Sequence, residues 1–166
     1  AHAEYTVSRH RMIERFLTDV VGVPWDEVHE EAEKLEHAMT PRFEAYVRSA
    51  VGEAKTCPHG HPIKVGERID GVPLADCVPG AKVTILRLEN EAEDILHYLK
   101  QAGIEPGLEG EIASNDGELV TVAADGANAT VTVSVAETVS VLAEPSPPAR
   151  IALPEQLVLG RERYGR

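Results

Sequence analysis

The spacing of apolar residues changes near residue 52, and this change limits the chain to helices followed by strands. Before it, apolar residues recur three and four positions apart, a pattern typical of amphipathic helices; the first such set is Ile13, Phe16, Leu17 and Val20. After residue 73, β-branched runs such as "AKVTILRLE" and "LVTVAA" alternate with Gly, Asn and Asp, as strands and turns do. We therefore predict an α+β chain.

Four regions follow from these patterns. Residues 1–52 are predicted to be helical, 53–72 a linker rich in Pro and Gly, 73–144 a small β-barrel, and 145–166 an extended Pro-rich tail. In the helical region, Asp26 is predicted to cap the second helix and Thr40 the third. In the barrel, "TVTVSV" and "TVSVLAE" are predicted strands, and "NEAEDILHYLKQAG" is a helical insert.

Charge and cysteine content exclude several classes of protein. A net charge of −12 argues against nucleic-acid binding by this segment, because phosphate contacts require clustered Lys and Arg. No apolar window reaches the roughly 18 residues of a membrane span. Two cysteines provide no disulfide framework, so we expect a cytoplasmic protein that does not act at a membrane. Because the chain opens on Ala1 and runs directly into helix-like sequence, we interpret it as a fragment or a processed product.

The second predicted helix carries four potential metal ligands on one side. Within "VHEEAEKLEH", an arc of about 100° holds His29, Glu33, Glu36 and His37, beside the apolar stripe of the same helix. On the first helix, His10 and Glu14 lie one turn apart. Imidazole and carboxylate at this spacing can bind a divalent cation, which would also offset the cost of burying the carboxylates. A solvated helix edge with surface hydrogen bonds is the alternative.

The sequence lacks the spacing of known catalytic motifs. A zinc-protease helix requires His four positions after the first His, where this chain has Glu33. We also find no nucleophile elbow, Walker loop or dinucleotide fingerprint. A site rich in ligands but without a recognisable nucleophile or base favours sensing over catalysis.

Several other residues are assigned structural roles. Cys57, His59 and His61 in "CPHGHP" suggest zinc, but no second ligand cluster is close in the sequence, so we favour a tight turn at Gly60. His2 and His97 are expected to be isolated surface residues, and Trp25 a packing anchor.

Two groups of segments carry a family resemblance. "SRHRMIERFLTDVVG", "WDEVHEEAEKLEHAMT" and "CPHGHPI" resemble the dimerisation domain of the diphtheria toxin repressor family of metal-dependent regulators. "PLADCVPGAKVTIL" and "ILHYLKQAGIEPGLEGEI" resemble that family's SH3-like domain, which is shared with ferrous transport protein A. The resemblance implies a helical dimerisation domain followed by an SH3-like barrel. It also implies that this sequence lacks the family's N-terminal winged helix-turn-helix.

The resemblance further implies two metal sites. His10, Glu14 and His29 match the ancillary site, which Glu91 and Asp94 would complete, with Glu93 as the alternative after a one-residue shift. Glu33, Glu36 and His37 match the primary site, whose other ligands would come from the absent domain. Iron-responsive members have Cys where this chain has Glu33, so the resemblance favours Mn(II). Fe(II) and Co(II) are possible replacements, and Zn(II) a surrogate.

These features predict the metal-sensing and dimerising part of a metal-dependent transcriptional repressor. It would form a homodimer through the helical region, with Phe43, Tyr46 and Val47 as contact candidates. Operator DNA would be bound only by the absent domain. The alternative is a stand-alone module that binds or buffers divalent metal; a metalloenzyme is the remotest of the three, and we expect no enzymatic activity.

Overall fold

A computed structural model describes residues 1–144, so the predicted tail at 145–166 lies outside the described residues. Three helices come first: α1 (His2–Phe16), α2 (Val28–Ala38) and α3 (Pro41–Val51). Helix α1 continues into a π-helical turn, Leu17–Val21, which ends at Gly22 in a left-handed conformation. The predicted order of helices before strands is confirmed.

Only one of the two predicted helix caps is present. The Thr40 hydroxyl accepts a hydrogen bond from the Phe43 backbone N–H at 3.2 Å, which confirms that cap. The prediction for Asp26 is wrong, because α2 has Glu27 at the N-cap position and no side-chain cap. Asp26 instead contacts two basic side chains of a helix in the second half of the chain. Ion pairing with distant residues thus replaces the local capping bond.

The second half of the chain forms one antiparallel sheet with two α-helices and a short 3-10 helix, Leu74–Asp76, between its strands. The strands lie in the order β1-β6-β2-β3-β4-β5. Helix α4 connects β2 to β3, and the short helix α5 connects β5 to β6. The bounds are β1 (Val72–Pro73), β2 (Lys82–Leu88), α4 (Glu93–Ala102), β3 (Glu109–Asn115), β4 (Leu119–Ala124), β5 (Ala127–Thr132), α5 (Val133–Ala136) and β6 (Val139–Glu144).

The predicted strand "TVTVSV" is half wrong. Strand β5 ends at Thr132, and residues Val133–Ala136 form α5. The turn of helix buries Ala136 completely and lets the Val133 N–H bond the Glu118 carbonyl at 2.8 Å. Packing of this connection against the core overrides the β preference of its valines.

Each half of the chain has its own hydrophobic core. Met12, Ile13 and Val28 are central to the helical core, whereas Ile85, Leu96 and Val122 belong to the core of the sheet. Trp25 precedes α2 but packs against the sheet core, consistent with its predicted role as an anchor. Among residues 1–144, no helix is long and apolar enough to cross a membrane.

The first part of the predicted linker is a tight turn that docks on strand β2. The Gly60 N–H bonds the Cys57 carbonyl at 3.0 Å, as expected for the turn. The Leu88 N–H donates to the His59 carbonyl at 2.9 Å, and His61 Nε2 donates to the Leu88 carbonyl at 3.0 Å. These bonds hold the turn between the helices and the sheet.

Candidate metal centre

Helices α1 and α2 bring together the three residues of the first predicted site. His10 Nε2 lies 2.8 Å from Glu14 Oε1 and 3.2 Å from His29 Nδ1. One ligand atom from each of the three side chains lies within 4.8 Å of the others. The i, i+4 spacing on α1 places His10 over Glu14, and α2 packs across α1 to add His29. We refer to His10, Glu14 and His29 as the first cluster.

Glu14 is an almost fully buried carboxylate, with 1% of its side chain exposed. Burial alone would raise its pKa, but the close contacts with His10 and His59 lower the pKa to about 2. The bond to Glu14 in turn raises the pKa of His10 to about 9 despite partial burial. Without metal, protonated imidazoles therefore provide the positive charge that this buried carboxylate requires.

The predicted primary site, made of Glu33, Glu36 and His37, lies along the same side of α2. Glu36 Oε2 accepts a hydrogen bond from His10 Nδ1 at 3.1 Å, and Glu33 Oε1 lies 3.6 Å from His29 Nε2. His37 is exposed in the last turn of α2. Glu36 is thus in direct contact with the first cluster, so the two predicted ligand sets are coupled through His10.

The structure also contains a second cluster, Cys57, His59 and Glu91, that sequence reasoning missed. His59 is fully buried, and its Nδ1 lies 2.9 Å from Glu14 Oε2 and 3.2 Å from Glu91 Oε1. The contact with Glu14 lacks hydrogen-bond geometry and is an ion pair. Burial lowers the pKa of His59, but the contacts with Cys57, Glu14 and Glu91 outweigh it and leave the pKa raised.

Glu14 joins the two clusters, because one of its oxygens faces His10 and the other faces His59. The sequence argument against zinc rests on the lack of a second ligand cluster near Cys57, His59 and His61. The structure removes this argument, because Glu14 and Glu91 reach His59 from other elements. These partners are 43 residues before and 34 residues after Cys57, so the spacing within "CPHGHP" could not reveal them.

Glu91 is the residue of the sheet unit that reaches the centre. It contacts His59 and also lines a small cavity with His29, which places it beside both clusters. Glu93 lines the same cavity. Asp94, the other predicted ligand from this region, is exposed in the first turn of α4.

A third group of ionisable residues, Asp26, Glu27 and His97, lies nearby. His97 Nδ1 donates to Asp26 Oδ2 at 2.6 Å, so the expectation that His97 is isolated is wrong. The contact with Asp26 raises the pKa of His97. This group differs from the other two because Lys100 Nζ already lies 2.7 Å from Asp26 Oδ1.

The donor atoms of the first two clusters fit a divalent first-row transition metal. Imidazole nitrogen and carboxylate oxygen suit Mn(II), Fe(II) and Co(II), and a Cys thiolate adds affinity for softer ions such as Zn(II). The buried Glu14 Oε2 has no hydrogen bond among the described residues, which leaves an acceptor available. The residues present therefore fit a metal that replaces the imidazole protons.

Known proteins match this chain in two adjacent regions. A family model described as "Iron dependent repressor, metal binding and dimerisation domain" matches residues 1–64, and one described as "FeoA domain" matches residues 72–143. The diphtheria toxin repressor of Corynebacterium jeikeium is 40% identical over 74 residues, or 44% of this chain and 31% of that protein. The iron-dependent repressor IdeR of Mycobacterium tuberculosis is 31% identical over 134 residues, or 71% of this chain and 58% of that protein.

A solved structure titled "Manganese-dependent transcriptional repressor" decides the family. It is 30% identical with a TM-score of 0.77, and the match covers 86% of this chain and 80% of that one. This chain belongs to the diphtheria toxin repressor family. The FeoA match gives the sheet unit of this family member an SH3-like fold, as the resemblance predicted.

The relatives limit what membership in the diphtheria toxin repressor family implies. They are named as repressors and not as enzymes, in agreement with the expectation of no catalytic activity. The chain spans about a third to three fifths of the length of the two curated relatives described above. The operator, the regulated genes and the oligomer of the whole protein are therefore matters for proposal.

Proposed function

We propose that this chain is the metal-sensing and dimerising part of a manganese-responsive transcriptional repressor. The observation that carries the proposal is the convergence of His10, His29 and the buried Glu14 from two helices. A buried carboxylate between two imidazoles is costly unless a positive charge accompanies it, and a divalent ion can replace the protons that supply this charge in the metal-free protein.

Manganese is favoured over iron by the oxygen-rich side of α2. Glu33 offers a carboxylate where the resemblance expects Cys in iron-responsive members, and carboxylates suit the harder Mn(II) ion. A manganese-dependent repressor is among the similar solved structures. Fe(II) or Co(II) would occupy the same donors, and Zn(II) would act as a surrogate through Cys57 and His59.

Metal binding would strengthen the contact between the two halves of the chain. Glu14 belongs to α1, whereas Glu91 precedes α4 in the sheet unit, and both contact His59. An ion bound among these groups would hold the helices, the 57–61 turn and the sheet in one arrangement. We propose that two metal-loaded chains form a homodimer. This homodimer would present to its operator a DNA-binding segment that lies outside these 166 residues.

The dimer contact predicted on α3 requires one correction. Phe43 and Tyr46 are 41% and 61% exposed and remain available for a partner subunit. Val47 is only 1% exposed and packs in the helical core, so it is not a contact candidate. The i+4 spacing places Val47 beside Phe43, but α3 turns it towards α1.

Calorimetric titration with Mn(II) under anaerobic conditions tests this function. The wild-type chain should bind Mn(II), and His10→Ala should abolish binding at the first cluster because it removes a nitrogen donor. Glu36→Ala should weaken this binding about tenfold, since Glu36 orients His10 through the hydrogen bond to Nδ1.

His2→Ala is the matched control, because it makes the same change on the same helix away from the clusters. The function is contradicted if the wild type does not bind Mn(II), or if His10→Ala and His2→Ala bind it equally well.

A further inference from the structure

Asp26 connects the two halves of the chain through charged contacts. It lies just before α2 and is 93% buried, since its side chain is only 7% exposed. Its two oxygens accept hydrogen bonds from Lys100 Nζ at 2.7 Å and His97 Nδ1 at 2.6 Å, both on α4. The first half of the molecule thus contributes a buried carboxylate to this contact, and the second half contributes two partly exposed basic side chains.

Lys100 argues against a metal ion at this position. Its ammonium group already occupies the side of Asp26 that faces α4, and it lies 5.9 Å from the centre of the Trp25 ring. A divalent cation bound to Asp26, Glu27 and His97 would be repelled by this adjacent charge. The group is therefore better suited to hold the two halves together than to bind metal.

A candidate ligand lies close to Asp26 in each half of the chain. His29 lies three residues after Asp26 in the first turn of α2, and Glu91 lies two residues before the start of α4. These two side chains line one small cavity together with Asp26 itself. The position of α4 relative to α2 consequently determines whether Glu91 can reach the metal centre.

We propose that Asp26 is a positioning residue: its pairing with Lys100 and His97 is a metal-independent latch that holds Glu91 beside His29 and His59. The latch keeps the site assembled across the two halves before metal arrives. The conformational entropy that Glu91 loses when it is held near the ion is then lost during folding and not during metal binding. The inference rests on the proposed function, because it concerns how the same metal centre is completed.

Lys100→Met is the informative substitution. It keeps most of the side-chain length beside Trp25 and removes only the charge that Asp26 pairs with. Simple electrostatics predicts stronger Mn(II) binding, because a positive charge near the site is lost. The latch predicts the opposite, a loss of about tenfold, as is typical for residues that orient a ligand. Lys82→Met makes the same charge change on an exposed residue of β2 and should leave the affinity unchanged.

Repeating Lys100→Met in a chain that already carries Glu91→Gln separates the positioning of Glu91 from general destabilisation of the protein. In a Glu91→Gln chain, Lys100→Met should have no further effect on Mn(II) affinity, since the group that the latch positions no longer binds. Titration of all four combinations gives the coupling between the two residues. The latch is rejected if Lys100→Met leaves binding unchanged or strengthens it, or if the loss is equal in both backgrounds.

Hydrogen exchange of the metal-free protein tests the latch without reference to the proposed function. The Leu88 N–H bonds the His59 carbonyl and so reports on the contact between the turn and the sheet. Lys100→Met should accelerate its exchange several-fold, whereas Lys82→Met should not. If the wild type binds no Mn(II), the proposed function fails and this exchange rate alone decides the latch; unchanged protection in Lys100→Met overturns it.

Discussion

At the scale of single residues, Glu14 is the residue that joins the two clusters of the candidate metal centre. Its two oxygens face imidazoles from different parts of the chain, and its burial prevents water from replacing either one. The carboxylate must therefore be accompanied by protons or by metal in every state of the folded protein. This requirement predicts that the stability of the metal-free protein depends on pH.

We predict that the metal-free protein loses stability as the pH rises from about 6.5 to 9. The pKa of His10 is raised from 6.5 to about 9, so its stabilising contribution is complete below 6.5 and is lost as the pH passes through 9. The pKa of Glu14 is lowered to about 2, so its contribution is present above 4.5 and is lost as the pH falls through 2. The change on the alkaline side should be on the order of 1–3 kcal/mol.

Urea unfolding in the presence of a chelator at several pH values measures this effect. His10→Gln should make the decline between pH 6.5 and 9 shallower, because it removes one of the groups whose raised pKa causes the decline. His59 and His97, whose pKa values are also raised, retain their part of it. An exposed control, His2→Gln, should retain the wild-type profile. An identical alkaline decline in His10→Gln and the wild type would assign the effect to other groups.

At the scale of elements, local sequence predicted the helices but not their long-range contacts. The cap at Thr40 depends on the next three residues, and the structure confirms it. Asp26 has an equally suitable local sequence, but Lys100 and His97, more than 70 residues away, bind its side chain instead. The valines of α5 favour a strand locally, and only the packing of the sheet makes them helical.

The turn that docks on β2 supports a prediction about Gly60. Gly60 has a φ of +90°, and a Cβ atom there would lie 1.9 Å from the Leu86 carbonyl oxygen. Gly60→Ala should therefore displace the turn and destabilise the protein by more than about 2 kcal/mol. Gly66→Ala is the matched control, because its φ is +97° but nothing lies within 4 Å of the added atom.

Thermal unfolding of the two variants separates backbone strain from the clash. Gly66→Ala should cost about 1–2 kcal/mol, the usual penalty for a left-handed conformation. Gly60→Ala should cost more and should also weaken Mn(II) binding, because His59 lies in the displaced turn. Equal destabilisation by both substitutions would show that the contact with β2 is unimportant.

At the scale of the whole molecule, the sequence predicted the first cluster better than the second. His10 and Glu14 are one helical turn apart, so their proximity follows from the helix alone, and the family resemblance added His29. The second cluster joins Cys57 and His59 of the turn to Glu91 of the segment before α4, and Glu14 of α1 links it to the first cluster. No local period connects these residues, and only the docking of the two halves brings them together.

Local sequence also does not identify the surface that contacts a partner subunit, so we use the exposure of apolar side chains to choose it. We predict that the chain is a dimer in solution, with twice the 18.0 kDa mass of one chain. Tyr46→Glu should dissociate it, because a charge placed on the exposed apolar side of α3 must be desolvated in the interface. Val78→Glu is the matched control, since Val78 is 59% exposed and lies in the sheet unit away from α3. Sedimentation over a range of concentrations tests this prediction. A wild-type monomer at every concentration would exclude the dimer. Dissociation by Val78→Glu but not by Tyr46→Glu would place the contact outside α3.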